Sequence, residues 1–309
     1  MGPFCRPGHT VEHHGGEVMV GARLAILAGG ISSRMKKPVE PDVRVEKNLV
    51  NDANLKAKSM IGVGKGGRPF LDYLLYNAKQ AGYADILIVI GEKDDSIRSY
   101  YGKDDRDNDF YGMQISYAVQ RIPPGKEKPI GTADALFQGL NSRRDWRGTR
   151  FTVCNSDNLY STNALKLMTE HEHRNAMIDY DRDALRFERS RIERFAVTAK
   201  DDEGFLLDII EKPSASRIES MKGKNGYVGV SMNIFGFQYD MIYPFLEKVP
   251  FDPVRNEKEL PTAVKMMVDA HPKSLFAYPL SEHVPDLTSK SDILPVKEYL
   301  EEHFANLTF

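Results

Sequence analysis

The stretch Arg23–Met35, RLAILAGGISSRM, constrains the fold of this chain more than any other part of its sequence. Five consecutive apolar residues, Leu24–Ala28, predict a short strand buried on both faces, as strands of parallel sheets are. The strand ends at Gly29 and Gly30, where the backbone can turn tightly and approach a ligand without a Cβ atom in the way. A buried strand that runs into a glycine turn predicts an α/β sheet with a ligand at the strand end.

The residues after this turn have the chemistry of an anion site. Ser32 and Ser33 supply two hydroxyl groups, and Arg34 supplies a planar guanidinium that suits phosphate oxygens. Free backbone N–H groups in the turn would add further donors, so the loop is predicted to hold a triphosphate. An ordinary glycine-rich βα loop is the alternative for this stretch taken alone.

Two better-known phosphate loops are excluded. The run Gly62–Gly66 resembles a Walker loop, but Ser59 stands where the first glycine is needed, and Lys65 is followed by glycine rather than Ser or Thr. The Gly29-Gly30 turn also lacks the G-x-G-x-x-G spacing of dinucleotide folds.

Composition limits the class of protein. The 309 residues can bury a substantial core, and a net charge of −2 argues against an electrostatic nucleic-acid binder. Cys5 and Cys154 stand far apart without metal-ligand spacing, which indicates a reducing compartment and a cytoplasmic location. No apolar run approaches the roughly 20 residues of a membrane span, and the first residues lack the apolar core of a signal peptide. We expect residues 1–22 to be a disordered tail and residues 23–309 to form the domain.

Short apolar strands alternate with helices along the first half of the chain, which predicts a three-layer arrangement with right-handed crossovers. The polar stretch Lys36–Lys56 is expected to be a mobile loop over the site, and Met60–Val63 a short strand. Asp181–Arg194 carries nine charges in fourteen residues and is expected to be a solvated helix or loop. Later strands, including Phe205–Ile210 and Tyr227–Phe237, suggest an antiparallel extension on one side of a cleft.

The segment LAGGISSRM resembles the signature loop of the sugar-1-phosphate nucleotidyltransferases, the nucleoside-diphosphate-sugar pyrophosphorylases. Further motifs of that family follow in the family's order. The resemblance implies an α/β fold, a three-layer αβα nucleotide-binding domain of GT-A or Rossmann-like type, with a mostly parallel central sheet and an antiparallel acceptor subregion. It also implies a nucleotide-binding set made of Leu27, Ala28, Gly29, Gly30, Ser32, Ser33, Arg34, Gln120, Gly131 and Thr132.

Three segments extend the resemblance on the nucleotide side. Lys58 matches the phosphate-contacting lysine of the family's Pro-Lys-x-Leu run, although Ala57 replaces the proline. Gln120 ends the strand that carries the family's base-reading glutamine, and an amide can pair with a pyrimidine or guanine edge. PIGTADA matches the family's Gly-Thr-Ala-x-Ala segment, where Gly131 lets the backbone approach the nucleotide and Thr132 stands where N-capping is favoured.

Asp157 follows the apolar strand FTVCN, and such a position places a carboxylate in the ligand crevice of an open α/β sheet. The family uses this aspartate as a Mg²⁺ ligand, whereas a helix N-cap is the structural alternative. Asp286 resembles the second family ligand, but its segment Pro285-Asp286-Leu287-Thr288 lacks the glycine of Asp-x-Gly-Thr. Asp292 is the alternative second ligand.

The last motif is Glu211-Lys212-Pro213, which matches the family's Glu-Lys-Pro. The resemblance implies that Glu211 accepts hydrogen bonds from sugar hydroxyls, and that Lys212, like Lys58, holds the sugar phosphate.

The resemblance therefore implies a Mg²⁺-dependent enzyme in which Arg34, Lys58, Asp157 and Lys212 are the catalytic residues. An NTP, with UTP or dTTP favoured and GTP open, would react with a sugar 1-phosphate to give an NDP-sugar and pyrophosphate. Neither nucleic acid nor a membrane is expected as a partner, and a homo-oligomer is left open. The alternatives are a catalytically silent nucleotide-binding regulatory subunit of the same fold and a nucleotidyltransferase with a non-sugar acceptor.

Overall fold

The computed structural model describes residues 21–38, 45–211, 213–222 and 226–307. The expected disordered tail, residues 1–22, lies outside these ranges except for its last two residues. Ala22 already belongs to the first strand, so the folded chain starts before residue 23. Lys212 also lies outside the described residues.

The described residues form a twisted sheet of ten strands. They are β1 Ala22–Ala28, β2 Tyr83–Gly91, β3 Asn108–Phe110, β4 Met113–Gln120, β5 Arg150–Asn155, β6 Asn175–Asp181, β7 Val197–Lys200, β8 Leu206–Ile210, β9 Gly229–Gln238 and β10 Leu275–Leu280. The strand order is β10-β6-β9-β5-β1-β2-β4-β3, and β7 pairs with both β8 and β9. Since β3 and β9 alone run against the other strands of that order, the predicted mostly parallel sheet is confirmed.

Helices cover both faces of the sheet. They are α1 Lys47–Leu55, α2 Phe70–Gln80, α3 Ser96–Tyr101, α4 Thr132–Ser142, α5 Thr162–Glu170, α6 Arg189–Ile192, α7 Ala215–Ser220, α8 Tyr239–Lys248, α9 Leu260–Ala270 and α10 Ile293–His303. No helix within the described ranges has the length and apolar character that crossing a bilayer requires.

The alternation of β1 side chains creates the three layers. Leu24 and Ile26 pack with α1, α2, α5 and α10, whereas Ala25 and Leu27 pack with α4, α8 and α9. Successive side chains of a strand point to opposite faces, so a strand that is apolar throughout needs cover on both sides. The predicted αβα architecture is therefore confirmed.

Two local predictions are wrong. The stretch Lys36–Lys56 is not a loop throughout, because α1 occupies Lys47–Leu55 and buries Leu49 and Ala53 at four-residue spacing. The predicted strand Met60–Val63 is not a strand. Its apolar side chains are buried against the core, but they follow a 3₁₀ turn, and the N–H of Gly62 donates to the Asp52 carboxylate instead of to a neighbouring strand.

The predicted antiparallel extension is present as β7, β8 and β9. β7 and β8 pair over four positions, and β7 joins the sheet through Val197 and Val230. The buried carboxylate of Asp179, on β6, accepts hydrogen bonds from Thr198 and Lys200 and so ties β7 to the main sheet.

The position of β1 defines the ligand crevice. β1 pairs in parallel with β2 on one side and β5 on the other, so the connections from neighbouring strands leave in opposite directions at this point. In open α/β sheets such a switch point opens a crevice at the carboxyl ends of the strands.

Candidate active site

A cleft of about 400 Å³ lies at the carboxyl ends of β1, β4 and β5. It is lined by all of the predicted site residues except Lys212, which is not described, and Asp286: Leu27, Ala28, Gly29, Gly30, Ser32, Ser33, Arg34, Lys58, Gln120, Gly131, Thr132, Asp157 and Glu211. Residues predicted from six separate segments of sequence therefore meet at one crevice. Their individual roles remain predictions.

The glycine turn after β1 keeps its backbone free for a ligand. Ser32 has a left-handed conformation with φ of 57°, and its carbonyl accepts from the N–H of Lys36. Within the described chain, the N–H groups of Gly30 and Ile31 donate to no other backbone carbonyl. Successive free N–H groups in a tight turn form an anion-binding concavity.

Arg34 follows this turn and is exposed to solvent. Three other cations line the cleft, and each already has a carboxylate partner: Lys58 with Asp157, Lys128 with Glu257, and Arg255 with Glu259 and Glu211. Arg34 is thus the one cation of the cleft without an ion pair among the described residues. Its guanidinium is available for an anionic ligand.

Gln120 has a fixed amide orientation. Its Nε2 donates to the carbonyl of Gly131 and to the carboxylate of Asp134, each at 2.9 Å. A carboxylate only accepts hydrogen bonds, so the nitrogen must face Asp134. The Oε1 atom then lies against Gly29, 2.7 Å from where a Cβ would stand. The cleft wall therefore presents an acceptor at this point, and a side chain at Gly29 would displace it.

The start of α4 differs from the sequence prediction. Thr132 does not cap the helix, because the N-cap is Gly131 and no side chain accepts a capping hydrogen bond. The Thr132 hydroxyl instead accepts from the N–H of Leu260, at 3.0 Å. A Cβ on Gly131 would lie 2.3 Å from the Lys258 carbonyl, so the glycine is needed for close packing of two chain segments.

Lys58 and Asp157 form an ion pair inside the cleft. The ammonium comes from the 3₁₀ turn Lys58–Met60, and the carboxylate follows β5. Asp157 does not cap the next helix, since Ser161 is the N-cap of α5 and accepts from the N–H of Ala164. The alternative structural role for Asp157 is therefore wrong.

Asp286 lies beside Asp157 but outside the cleft lining. The N–H of Leu287 donates to the carbonyl of Asp157 at 2.8 Å, and Asn158 and Asp286 form an antiparallel bridge. Burial, and next the charge of Asp157, raises the pKa of Asp286, whereas the nearby Arg191 guanidinium opposes this shift.

Asp157 supplies a carboxylate in the cleft that is suited to a divalent cation. Mg²⁺ commonly uses one or two protein carboxylates and completes its shell with substrate phosphates and water. Asp157 lines the cleft, so it can meet phosphates there. Among the described residues no group of three or more His, Cys, Asp or Glu side chains could hold a metal.

Sequence reasoning missed Arg255, which contacts two acidic residues of the cleft. One Nη atom lies 3.3 Å from Glu211 Oε2, and the guanidinium also pairs with Glu259. Burial raises the pKa of Glu259, although the hydrogen bond from Arg255 opposes the shift. Nothing in the sequence near Arg255 indicated that it meets Glu211, 44 positions away.

Asn233 was also missed. It lines the cleft in a left-handed conformation with φ of 57°, at an irregularity in the pairing of β9 with β6. An amide within the apolar run VSMNIF is a signal that the side chain leaves the core, and it could have been used.

Comparison with known proteins agrees with this geometry. The family model described as nucleotidyl transferase matches residues 53–280. The bifunctional protein GlmU of Staphylococcus saprophyticus is 24% identical over 203 residues, 66% of this chain and 40% of that protein. Glucose-1-phosphate adenylyltransferase 1 of Vibrio vulnificus strain YJ016 is 25% identical over 225 residues, 73% of this chain and 51% of that protein.

Solved structures share the fold. A UDP-glucose pyrophosphorylase complexed with UDP-glucose superposes with a TM-score of 0.64 at 15% identity, covering 91% of this chain and 98% of that one. A putative glucose-1-phosphate thymidylyltransferase from Bacillus anthracis gives 0.63 at 18% identity, covering 93% and 97%.

The chain belongs to the nucleotidyl transferase family, because the family model matches well over half of it. The resemblance to sugar-1-phosphate nucleotidyltransferases drawn from the sequence is thereby confirmed at the level of family. The chain spans between 40% and 51% of the length of these two curated relatives.

Proposed function

We propose that this protein transfers a nucleotidyl group from an NTP to a sugar 1-phosphate and releases pyrophosphate. An oxygen of the sugar phosphate attacks the α-phosphorus, a new P–O bond forms, and the bond to the β-phosphate oxygen breaks. The observation that carries the proposal is the convergence of the glycine turn, Arg34, and the Lys58–Asp157 pair at the carboxyl ends of β1 and β5.

The nucleotide side of the cleft supports triphosphate binding. The N–H groups of Gly30 and Ile31 and the guanidinium of Arg34, which have no such partners among the described residues, offer donors to an anion with several negative charges. Arg34 would stabilise the triphosphate and then the departing pyrophosphate, whose charge grows as the bond breaks.

Gln120 favours particular bases. Its free Oε1 is an acceptor, so it suits the N3–H of uracil or thymine and the N1–H of guanine. The corresponding ring nitrogens of adenine and cytosine are acceptors, so these bases could contact Oε1 only through their exocyclic amino groups. We therefore propose UTP or dTTP as the donor, with GTP next.

The acceptor side is proposed to lie between Glu211 and Arg255. Glu211 would accept hydrogen bonds from sugar hydroxyls, and Arg255, now paired with Glu211 and Glu259, would turn toward the sugar phosphate with Lys212. UDP-glucose pyrophosphorylases and glucose-1-phosphate transferases among the similar proteins are consistent with a sugar acceptor.

Asp157 would hold a Mg²⁺ ion, which supplies charge neutralisation for the phosphates when it is bound. Lys58 would exchange its contact with Asp157 for a phosphate oxygen. A sugar phosphate is already ionised near neutral pH, so the chain needs no general base and acts by orienting the two anions.

The decisive experiment measures pyrophosphate release for UTP, dTTP, GTP, ATP and CTP against a panel of sugar 1-phosphates with Mg²⁺. We expect turnover with UTP or dTTP and one or more sugars, and loss of turnover in Asp157→Asn. Tight nucleotide binding without release for any acceptor would favour the silent regulatory subunit. Release with an alcohol phosphate but no sugar phosphate would favour the non-sugar acceptor.

We further propose a cytoplasmic location, on the sparse cysteine content and the buried free thiol of Cys154. Size-exclusion chromatography with light scattering would determine whether the protein is a homo-oligomer.

A further inference from the structure

Arg191 stands between two buried carboxylates next to the cleft. It pairs with Asp292, and its Nη2 lies 2.9 Å from Asp286 Oδ2. The guanidinium also packs on the ring of Phe187, 4.4 Å from the ring centroid. Arg191 belongs to the charged segment Asp181–Arg194 that was expected to be solvated, and its side chain is only 22% exposed. The charged segment thus delivers one cation to the edge of the site.

Both oxygens of Asp286 are engaged by the protein. Oδ1 accepts from the Thr288 hydroxyl at 2.5 Å, and Oδ2 faces the Arg191 guanidinium. The carboxylate does not line the cleft, whereas that of Asp157 does. Asp286 therefore has its charge balanced before any cation arrives.

Asp292, the other candidate for a second metal ligand, is the N3 residue of a capping box whose N-cap is Ser289. Its Oδ2 accepts from the N–H groups of Thr288 and Ser289, at 2.9 and 2.7 Å, and from the Ser289 hydroxyl at 3.0 Å. Its Oδ1 accepts from Arg191. These bonds use the carboxylate to start the 3₁₀ turn Lys290–Asp292, so it is not available as a metal ligand.

The local sequence agrees with this assignment. Leu287, which directly follows Asp286, has a fully buried side chain, and its N–H donates to the carbonyl of Asp157. The backbone is held at that point, so the Asp286 carboxylate could reach the cleft only by a change of rotamer that breaks its contacts with Thr288 and Arg191.

We propose that Asp157 is the single protein carboxylate that ligates the divalent cation of the bound nucleotide, and that Arg191 takes the place of a metal contact at Asp286. In this arrangement Asp286 and Arg191 hold the Asp181–Arg194 segment against the cleft edge. A divalent cation at Asp286 would be repelled by the guanidinium already there. The inference rests on the proposed function in that it assumes a nucleotide-bound cation.

Binding of Mn²⁺ tests the proposal without any turnover. Titrations followed by electron paramagnetic resonance, in the presence of UTP, compare the wild type with Asp157→Asn, Asp286→Asn and Arg191→Gln. We expect Mn²⁺ affinity to fall at least tenfold in Asp157→Asn and to stay within threefold of wild type in Asp286→Asn and Arg191→Gln. Thermal midpoints should fall in the last two variants, because a structural ion pair is lost.

The double variant Arg191→Gln/Asp286→Asn distinguishes two cases. Either Arg191 keeps the cation away from Asp286, or Asp286 has no influence on cation binding. If Arg191 shields Asp286, Mn²⁺ affinity in Arg191→Gln equals or exceeds that of wild type, and adding Asp286→Asn removes any gain. A drop in Asp286→Asn as large as that in Asp157→Asn overturns the proposal. Absence of Mn²⁺ binding by the wild type with UTP, dTTP and GTP overturns it as well.

Because the readout is metal binding, an enzyme inactive on every sugar phosphate could still show the expected pattern. That outcome would reject the proposed reaction and leave the assignment of Asp157 as the single carboxylate ligand standing. Turnover by the wild type, together with a loss of Mn²⁺ affinity in Asp286→Asn, would support the proposed reaction and reject Asp157 as the single carboxylate ligand.

Discussion

The ammonium of Lys58 is paired with the carboxylate of Asp157, although 99 positions separate the two residues in the chain. Both side chains are about four-fifths buried, at 19% and 18% exposure. Both charges are partly removed from water at the edge of the sheet. In the absence of a bound anion, each charge is compensated by the other. If a phosphate and a divalent cation entered together, the phosphate would replace Asp157 as the partner of Lys58. The cation would replace Lys58 as the partner of Asp157.

Replacing Asp157 by Asn should reduce turnover by at least about a hundredfold, because the variant keeps the side-chain shape and removes the charge that is proposed to hold the cation. The fold should persist, since the strand and the backbone bonds around position 157 are unchanged. Turnover at saturating Mg²⁺ and thermal unfolding check both statements. Asp269→Asn, at an exposed ion pair on α9, is the matched control. Near-normal turnover in Asp157→Asn would remove this residue from the metal site.

Arg34 and Arg255 should separate donor from acceptor binding. Arg34→Ala should weaken NTP binding and turnover together, because in the proposed reaction its charge would face the leaving group. Arg255→Ala, and equally Lys212→Ala, should raise the KM for sugar phosphate and leave NTP binding nearly unchanged. Losing one charge-assisted phosphate contact costs about 1.5–3 kcal/mol, or roughly ten- to a hundredfold.

Separate titrations with NTP and with sugar phosphate measure these effects, with Lys265→Ala as a control on the exposed face of α9. If Arg255→Ala loses NTP affinity as severely as Arg34→Ala, the cleft does not have two separate sides.

The predicted site residues that the structure places at the cleft are those with a local signal in the sequence. A buried strand followed by Gly29-Gly30, and another followed by Asp157, indicate the same edge of a parallel sheet. Arg191 and Arg255 gave no such signal, because their partners Asp286 and Glu211 come from distant segments. Which cation meets which carboxylate is decided by tertiary packing.

Helix α1 shows the same limit at the level of secondary structure. The helix has a polar sequence, and no side chain caps its N-terminus. The loop prediction followed the polar composition of the segment. Packing of Leu49 and Ala53 against the core, together with the bond from Gly62 to Asp52, stabilises the helix instead.

Gly131→Ala should destabilise the protein by about 2 kcal/mol or more. The residue has φ of 115°, and an added Cβ would lie 2.3 Å from the Lys258 carbonyl, so a side chain meets both backbone strain and a backbone clash. Gly125→Ala is the control, with φ of 78° and nothing within 4 Å of the added atom, and should cost about 1 kcal/mol. Urea unfolding measures both. Equal costs would mean that the Lys258 segment moves aside freely.

His283 should make stability depend on pH in the mildly acidic range. Burial, and then the charges of Arg186, Arg191 and His303, lowers the pKa of His283 from 6.5 to about 4. The ring also accepts a hydrogen bond from the N–H of Arg186 through Nδ1, at 3.1 Å, which the neutral form alone can do. Below pH 6.5 this histidine therefore binds a proton in the unfolded chain, whereas in the folded chain it stays neutral until the pH approaches 4. Stability consequently falls as the pH drops toward 4.

His283→Asn keeps an acceptor for the Arg186 N–H and removes the titrating ring. We expect the variant to lose less stability than the wild type between pH 7 and pH 5, by an amount of order 1 kcal/mol after allowance for partial exposure. Some dependence should remain, because burial, and then Arg150, also lowers the pKa of His171 to about 4. Urea midpoints at several pH values give the comparison, with His271→Asn at an exposed histidine as the control. Identical pH profiles for the wild type and His283→Asn would mean that His283 takes up its proton equally in the folded and unfolded states.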